Sequence, residues 1–384
     1  MNKDAIIYEP WAKGMIHNQF LKCFIIMISE IYDNVVFYGE NELIDNIYTN
    51  LKLKNVTYKK IKIVDCESFS GKLSCLLIEF LNVLRLQCKK GNYDIYVTCG
   101  IPYTMFWCRK LLKNTPIFFI MHGGLEFLEK KISPLKLYYY IKSELLKLSD
   151  KHNLILLGES IKNNLLLNFP SLNKKAISID HPYLPLASFS AKDKTDEVGL
   201  IKIGSVGIAT YEKGSNSLIE IITFLNDKKI TNIEVSHVGR VSNELKVLTN
   251  YIRIPFQTNE MIPSHDFNKE LEKLDYFLYL YPSDNYKYTA SGALLDALVH
   301  GKPIIALKND YFNYFFSKYT GIGFLFDSVQ DLCEGLTKLP STNSNEYNFM
   351  VENEIKTLES LSPLVVKNDL LKGLKYTSCH DSTI

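Results

Sequence analysis

YPSDNYKYTASGALLDALVHGKPIIAL, residues 281–307, passes from strand to loop to helix and back to strand. Tyr281 and Pro282 close the first strand. A polar loop leads to Ser291 and Gly292, where a helix starts and runs through Asp296 to His300. Gly301-Lys302-Pro303 then turn the chain into the apolar strand Pro303–Ala306. Short apolar runs alternating with helical segments are the pattern of a parallel sheet wound with helices. Asp296 lies four residues after Gly292, one turn into the helix, facing the loop end of the sheet. A carboxylate there can accept hydrogen bonds from a ribose diol, and the amides of Ser291 and Gly292 can meet a diphosphate at the helix N-terminus. The alternative for Asp296 is a contact with the helix dipole and no ligand.

Upstream, SVGIATYEKGSNSLIEII (205–222) repeats the strand–loop–helix theme. The strand ends at Gly207, Lys213-Gly214 precede the helix, and Ser215 or Asn216 can cap it. A lysine beside free backbone N–H groups attracts phosphate. The spacing matches neither a Walker A loop nor the G-x-G-x-x-G fingerprint, so an exposed loop lysine beside a turn glycine is the rival reading.

The alternation extends outward over the whole chain. In the first half, strands are expected at Ala5–Tyr8, Asn34–Tyr38, Tyr58–Val64, Tyr93–Thr98, Pro116–Met121 and Asn153–Leu157. Helices fall between them, and another is expected over Glu159–Asn168. The pattern breaks at Ala187–Glu197, ASFSAKDKTDE, and restarts at Leu200. The expected division is a first domain over 1–185, a linker over 186–198, a second domain over 199–345 and a helical tail over 346–384. That tail is a candidate for packing back on the first domain. Helices are expected at Ser242–Asn250 and Asp266–Lys273, and 341–350 is read as a loop.

With 384 residues and 46% apolar content, the chain is long enough for two or three domains and large cores. Charge is nearly balanced at +2, which argues against a nucleic-acid-binding surface. It is unevenly placed, however. Residues 1–185 carry 24 Lys+Arg against 17 Asp+Glu, and the remainder carries 20 against 25. Residues 130–151, KKISPLKLYYYIKSELLKLSDK, interleave lysines with Leu and Tyr. Such a basic amphipathic helix can lie on an anionic membrane surface, or can be a surface helix packed by its Leu/Tyr side. No signal peptide and no membrane-spanning run is read, so the expectation is a cytoplasmic protein, peripheral on the inner face of the membrane. The eight cysteines form no C-x-x-C pair, so buried free thiols are expected and a metal site is not.

The C-terminal pattern resembles the donor domain of GT-B glycosyltransferases, in particular the retaining group 1 (family 4-like) enzymes of bacterial surface polysaccharide synthesis. Lys213-Gly214, Pro282-Ser283, Ser291-Gly292, Asp296-Ala297 and Gly301-Lys302-Pro303-Ile304 stand, in order, where that group carries its motifs. Gly14 with His17-Asn18, and His122-Gly123-Gly124, resemble it in the first half. Two departures are visible. Tyr288 stands where the group has the first of two glutamates, with Asp296 at the second, and Ile208 stands where an arginine follows Gly207.

The resemblance implies an α/β architecture of two Rossmann-like, doubly wound parallel-sheet domains facing a central cleft. It implies transfer of a sugar from a nucleotide-diphosphate sugar to a glycan acceptor, lipid-linked, in O-antigen, capsule or lipopolysaccharide synthesis. No cofactor and no metal is expected. The leaving diphosphate would be met by basic side chains and helix dipoles. Gly207, Lys213, Gly214, Arg240, Lys287, Tyr288, Thr289, Ser291, Gly292 and Asp296 are the donor-binding candidates. Gly14, Asn18 and Gly123 are the acceptor-side candidates. His122 follows an apolar strand, and in the group a histidine at such a place touches the donor sugar. Glu9 and His17 are candidate general bases for an inverting reaction; a solvated Glu9 and a helix-capping His17 are the alternatives. His181 is read as ordering the hinge with Pro182. The rival functions are a degenerate, non-catalytic GT-B partner and a sugar-nucleotide epimerase.

Overall fold

The computed structural model describes residues 4–64, 69–88, 91–98, 102–128, 135–184, 199–256, 262–284 and 286–379. The linker expected over 186–198 and the start of the basic segment 130–151 lie outside them. The chain divides into two compact units. One comprises Met1–Leu184, Tyr288–Ala290 and Leu361–Ile384; the other comprises Pro185–Lys287 and Ser291–Ser360.

In the first unit, β1 (Asp4–Tyr8), β2 (Asn34–Gly39), β3 (Val56–Lys60), β4 (Tyr93–Val97), β5 (Ile117–Ile120), β6 (His152–Leu156) and β7 (Ala176–Ser178) form one sheet. The order is β3-β2-β1-β4-β5-β6-β7, and every pairing is parallel. Its helices are α1 (Asn18–Ser29), α2 (Asn41–Asn50), α3 (Phe69–Gln87), α4 (Pro102–Leu111), α5 (Leu135–Leu146) and α6 (Glu159–Asn168). The central strands β5 and β6 are buried at every residue, as expected of a parallel sheet covered on both faces.

The second unit holds β8 (Ile201–Ala209), β9 (Ile233–Val241), β10 (Tyr276–Tyr279), β11 (Ile304–Leu307) and β12 (Gly323–Phe326). These strands are parallel in the order β12-β11-β10-β8-β9. Helices α7 (Leu218–Asp227), α8 (Ser264–Leu271), α9 (Gly292–His300), α10 (Asp310–Lys318), α11 (Val329–Leu336) and α12 (Asn345–Ser360) accompany them. The last helix, α13 (Pro363–Cys379), belongs to the first unit and packs on α1 and β7. Val366, Leu370 and Leu374 enter the same core as Phe24, Ile28 and Ile177. Gly373 permits the close approach, since a Cβ there would lie 2.3 Å from Ile177 Cγ2.

Four local readings change. β7 is too short to stand out in the sequence. Asn243–Asn250 is a 3₁₀ helix rather than an α-helix; three residues per turn set its buried pair, Leu245 and Leu248, on one edge. Residues 345–350 are helical, because Ser344 Oγ accepts from Tyr347 N at 3.1 Å and opens α12. Among the cysteines, Cys23, Cys108 and Cys333 are buried and free as expected, but Cys88 is exposed and Cys75 is disulfide-bonded.

Glu354 of α12 is fully buried, and neither carboxylate oxygen has a hydrogen-bond partner among the described residues. Burial holds its carboxyl well above the usual carboxylate range, opposed only by the Lys302 charge. The folded state therefore binds this proton more tightly than the unfolded state. Its stabilising contribution is complete below the unfolded pKa of about 4.5 and is lost as pH rises toward the folded value. Glu354→Gln, which cannot ionise, is expected to melt above the wild type at pH 8, with the gap closing by pH 5. Calorimetric melts across that range check it; a gap independent of pH contradicts it.

Candidate functional site

Both sheets reverse their strand order once, and ligands of open α/β sheets lie beyond the carboxyl ends of the strands at such a switch point. In the first unit the switch lies between β1 and β4, in the second between β8 and β10.

In the first unit Glu9 follows β1 and is fully buried. Its Oε1 accepts from the amides of Trp11 at 2.8 Å and Ala12 at 2.9 Å, and its Oε2 from Thr98 Oγ1 at 2.6 Å. Thr98 follows β4, so the carboxylate ties the loops of the two switch-point strands together. This removes the alternative of a solvated Glu9, because the buried carboxylate holds the loop by three hydrogen bonds. That loop then turns at Gly14, in the left-handed region at φ +56°. Gly14 N approaches Glu40 Oε2 at 3.4 Å, and a Cβ at Gly14 would meet the Glu42 carboxylate at 3.4 Å.

His17 stands at the N-cap of α1 with φ 57° and makes no side-chain capping bond, which removes the capping alternative. Its ring instead meets that of His122 edge-on at 4.1 Å and that of Trp11 at 5.5 Å. His122 leaves β5 and packs on Phe20 at 5.0 Å. Its Nε2 lies 3.3 Å from His181 Nε2. The protons on this chain can be assigned by chemistry. His181 Nδ1 is 3.0 Å from the Pro182 carbonyl oxygen, which can only accept, so Nδ1 carries the hydrogen. Burial pushes the His181 imidazole down to about 4, so it is neutral at pH 7 and its Nε2 is bare. His122 then donates from Nε2 and keeps its lone pair on Nδ1. Burial, and then the charges of His17 and His181, hold His122 well below the ordinary histidine range. Burial also lowers His17, partly offset by Glu9. Three neutral imidazoles thus share one small volume, and His181, read as a hinge residue, orients His122. Asn18 opens α1 and is buried, its Nδ2 directed at Met15 Sδ. Gly123 follows His122 at φ +88°, with no atom within 4 Å of where a Cβ would stand.

In the second unit Gly207 and Gly239 face each other on β8 and β9. A Cβ on Gly239 would lie 1.6 Å from the Gly207 carbonyl oxygen, so only glycine allows this pairing. Lys213 returns over the end of β8. Its Nζ would be 3.7 Å from a Cβ on Gly207, and it lies 5.9 Å from the centroid of the Tyr281 ring. Gly214, at φ +66°, lets the loop after β8 meet the loop after β10; a Cβ there would lie 2.1 Å from Leu280 O. Tyr281, Tyr286 and Phe312 stack beside Lys213, with Tyr281 and Tyr286 centroids 4.4 Å apart. Tyr286 is held at φ 61°, unusual for an aromatic residue. Arg240 pairs in register with Ile208, placing a cation on the strand next to the position that lacks one. Its carbonyl accepts from His237 Nε2 at 3.1 Å, while His237 Nδ1 takes Ser205 Oγ at 3.3 Å. Burial takes His237 down to about 4, so it is a neutral brace under the Gly207–Arg240 lip.

Ser291 caps α9, its Oγ accepting from Leu294 N at 3.3 Å. Gly292 is exposed at the first turn, and Asp296 is partly exposed one turn on, its charge acting on Tyr279 and Tyr281. Lys287 is partly exposed in the loop before α9. Tyr288 and Thr289 lie elsewhere. They group with the first unit, where Tyr288 is buried and its hydroxyl accepts from Asn168 Nδ2 at 2.7 Å. Thr289 Oγ1 is buried with no hydrogen-bond partner among the described residues. In the second unit Gly207, Lys213, Gly214 and the start of α9 lie at the β8–β10 switch point with Arg240 on the adjacent strand β9, and in the first unit His17, His122 and Gly123 lie at the carboxyl ends of β1 and β5. Thr98, His181 and His237 were not read as site residues. Thr98 becomes visible only once β1 and β4 are known to be neighbours.

No family model matches the chain, and no curated protein matches it in sequence. Solved structures do match over nearly its whole length. WaaG, a glycosyltransferase involved in lipopolysaccharide biosynthesis, is 12% identical with a TM-score of 0.62, covering 95% of this chain and 98% of its own. Anabaena HepE in complex with UDP is 12% identical with a TM-score of 0.63, covering 97% and 99%. The pneumococcal O-GlcNAc transferase GtfA in complex with UDP and GlcNAc is 11% identical with a TM-score of 0.63, again covering 97% and 99%. The chain has the GT-B fold. Among the described residues, no helix is long and apolar enough to cross a membrane and no cluster of side chains is arranged to hold a metal ion.

Proposed function

We propose that the protein is a glycosyltransferase that moves a sugar from a nucleotide-diphosphate sugar to a glycan acceptor in surface polysaccharide synthesis. The observation that carries this reading is that Lys213, over the Tyr281 ring, and the capped first turn of α9 meet at the β8–β10 switch point of a GT-B fold, with Arg240 on the adjacent strand β9. Lys213 and Arg240 meet the two phosphates. The amides at the start of α9 add the helix dipole, and Asp296 takes the ribose hydroxyls. Phosphate charge is then stabilised by fixed protein groups as the bond to the sugar breaks. His122, neutral and oriented by His181, offers Nδ1 to a hydroxyl of the donor sugar. The first unit supplies the acceptor side, and the basic segment 130–151 holds the protein at an anionic membrane surface where a lipid-linked acceptor resides.

Calorimetric titration with UDP, GDP, ADP and CMP in the presence of EDTA tests the donor site. Binding of one nucleotide supports it and names the donor class; binding of none removes it. Lys213→Ala is expected to weaken the bound nucleotide by about tenfold to a hundredfold, the range for loss of a charge-assisted phosphate contact. Unchanged affinity would remove Lys213 from the phosphate site. Tyr288, buried where the resembled group has a carboxylate, favours a second reading as a non-catalytic GT-B partner. Nucleotide binding without turnover of any sugar nucleotide would favour that reading.

A further inference from the structure

A pocket opens at the carboxyl ends of β1 and β4, walled by Trp11, Lys62, Ile78, Glu79 and Tyr103. It borders the histidine cluster through Trp11, whose ring lies 5.5 Å from that of His17, but the proposed mechanism uses none of these side chains. Glu79 of α3 is only 7% exposed, yet it carries a carboxyl group into this space. Tyr8 and Thr104 both donate to its Oε1, at 3.0 and 2.6 Å. These two bonds fix the plane of the group. Its Oε2 has no hydrogen-bond partner among the described residues. Glu79 lines the pocket, so this oxygen can take a hydrogen bond from a hydroxyl that enters it. The cavity encloses about 30 Å³, room for one small group but not for a sugar ring. Trp11 stands at its mouth, 46% exposed.

The lining selects the chemistry of the occupant. An anion would face Glu79, and a cation would face Lys62, so a neutral group is preferred. Burial lifts the Glu79 carboxyl to about 7, so both its forms are populated near neutrality. A hydroxyl can donate to the ionised form and accept from the protonated one. An aromatic face beside a single polar recess suits a pyranose: the ring lies on the indole and one exocyclic arm enters the recess.

We propose that this pocket is an acceptor subsite for a hexopyranose that bears a free hydroxymethyl group, with the ring on Trp11 and the hydroxyl on Glu79 Oε2. This deepens the glycosyltransferase reading and rests on it. The acceptor is then a sugar whose primary hydroxyl is unsubstituted, and a 6-deoxy sugar is refused at this position.

Trp11 and Trp107 are the chain's two tryptophans, so Trp107→Phe leaves Trp11 as the fluorescent reporter. This protein is titrated with the methyl glycosides of glucose, galactose and mannose and with their 6-deoxy counterparts. The expected result is a saturable change with at least one hexoside at millimolar concentration, with its 6-deoxy form at least tenfold weaker. Glu79→Ala in the same background should weaken the hexoside to the same degree. Nucleotide affinity should stay unchanged by calorimetry. No saturable change from any hexoside up to about 100 mM overturns the subsite, as does equal binding of the 6-deoxy sugar. The sugar comparison uses the unaltered pocket, so it stands even if Glu79→Ala does not fold. Failure of every nucleotide to bind would instead fall on the donor reading, and the two failures are read out separately.

Discussion

Gly239→Ala is expected to lower the melting temperature of the second unit by about 6–12 °C, the equivalent of roughly 3 kcal/mol in a unit of this size. The argument is steric. Gly239 holds φ +150° on β9 and lies against Gly207 at φ +103° on β8. The new Cβ would be placed 1.6 Å from the Gly207 carbonyl oxygen. That obstacle is backbone, not the yielding tip of a side chain. Relief requires the ladder between Ile201–Ala209 and Ile233–Val241 to open at this end, and the opening carries Arg240 and Lys213 out of place. Nucleotide binding should therefore fall along with stability. Gly292→Ala is the control, because nothing lies within 4 Å of a Cβ there and α9 gains a better helix former. Differential scanning calorimetry of the two variants decides the matter. Equal melting temperatures would mean that the glycine pair carries no strain-relieving role.

His122→Ala is expected to reduce kcat by about a hundredfold or more while changing nucleotide affinity less than threefold. Its Nε2 proton is committed to His181, whose own Nδ1 is held by the Pro182 carbonyl oxygen, so the ring is fixed in orientation. A group oriented this rigidly contributes most where geometry matters most, in the transition state. His181→Ala should produce a smaller loss of kcat, because it removes the brace and leaves the imidazole. His181→Gln, which keeps an acceptor for the His122 proton, should recover part of it. A His122→Ala enzyme with full kcat would take the histidine cluster out of the reaction.

The alternation of strands and helices was readable because parallel strands buried on both faces are short apolar runs, and IFFI and HNLIL announce themselves. Glycine positions were readable for a related reason. Gly214 sits in a strand-to-helix loop, where the chain must turn sharply and leave backbone bare, whereas Gly207 lies within β8, two residues before its end. Strand order was not readable locally. Nothing near Glu9 says that Thr98 will bind its carboxylate, and nothing near Tyr8 says that Glu79 will receive its hydroxyl. A solitary carboxylate after a strand therefore reads as solvated until its partners, far away in sequence, are placed. The histidines failed in the same way. His17, His122 and His181 are far apart along the chain, and only their closeness fixes which nitrogen each one protonates.

The placement of α13 has a consequence for how the protein is made. Val366, Leu370 and Leu374 complete a core whose other members lie before residue 185. At ribosomal rates of about 5–20 residues per second, the nascent first unit waits roughly ten to forty seconds for its last helix while the whole second unit is synthesised. During that interval the apolar side of α1 and the edge strand β7 are uncovered on a growing chain. Chaperone demand should therefore track the delay before α13 emerges, and a circular permutant that moves α13 ahead of β1 should mature with less chaperone assistance than the natural order.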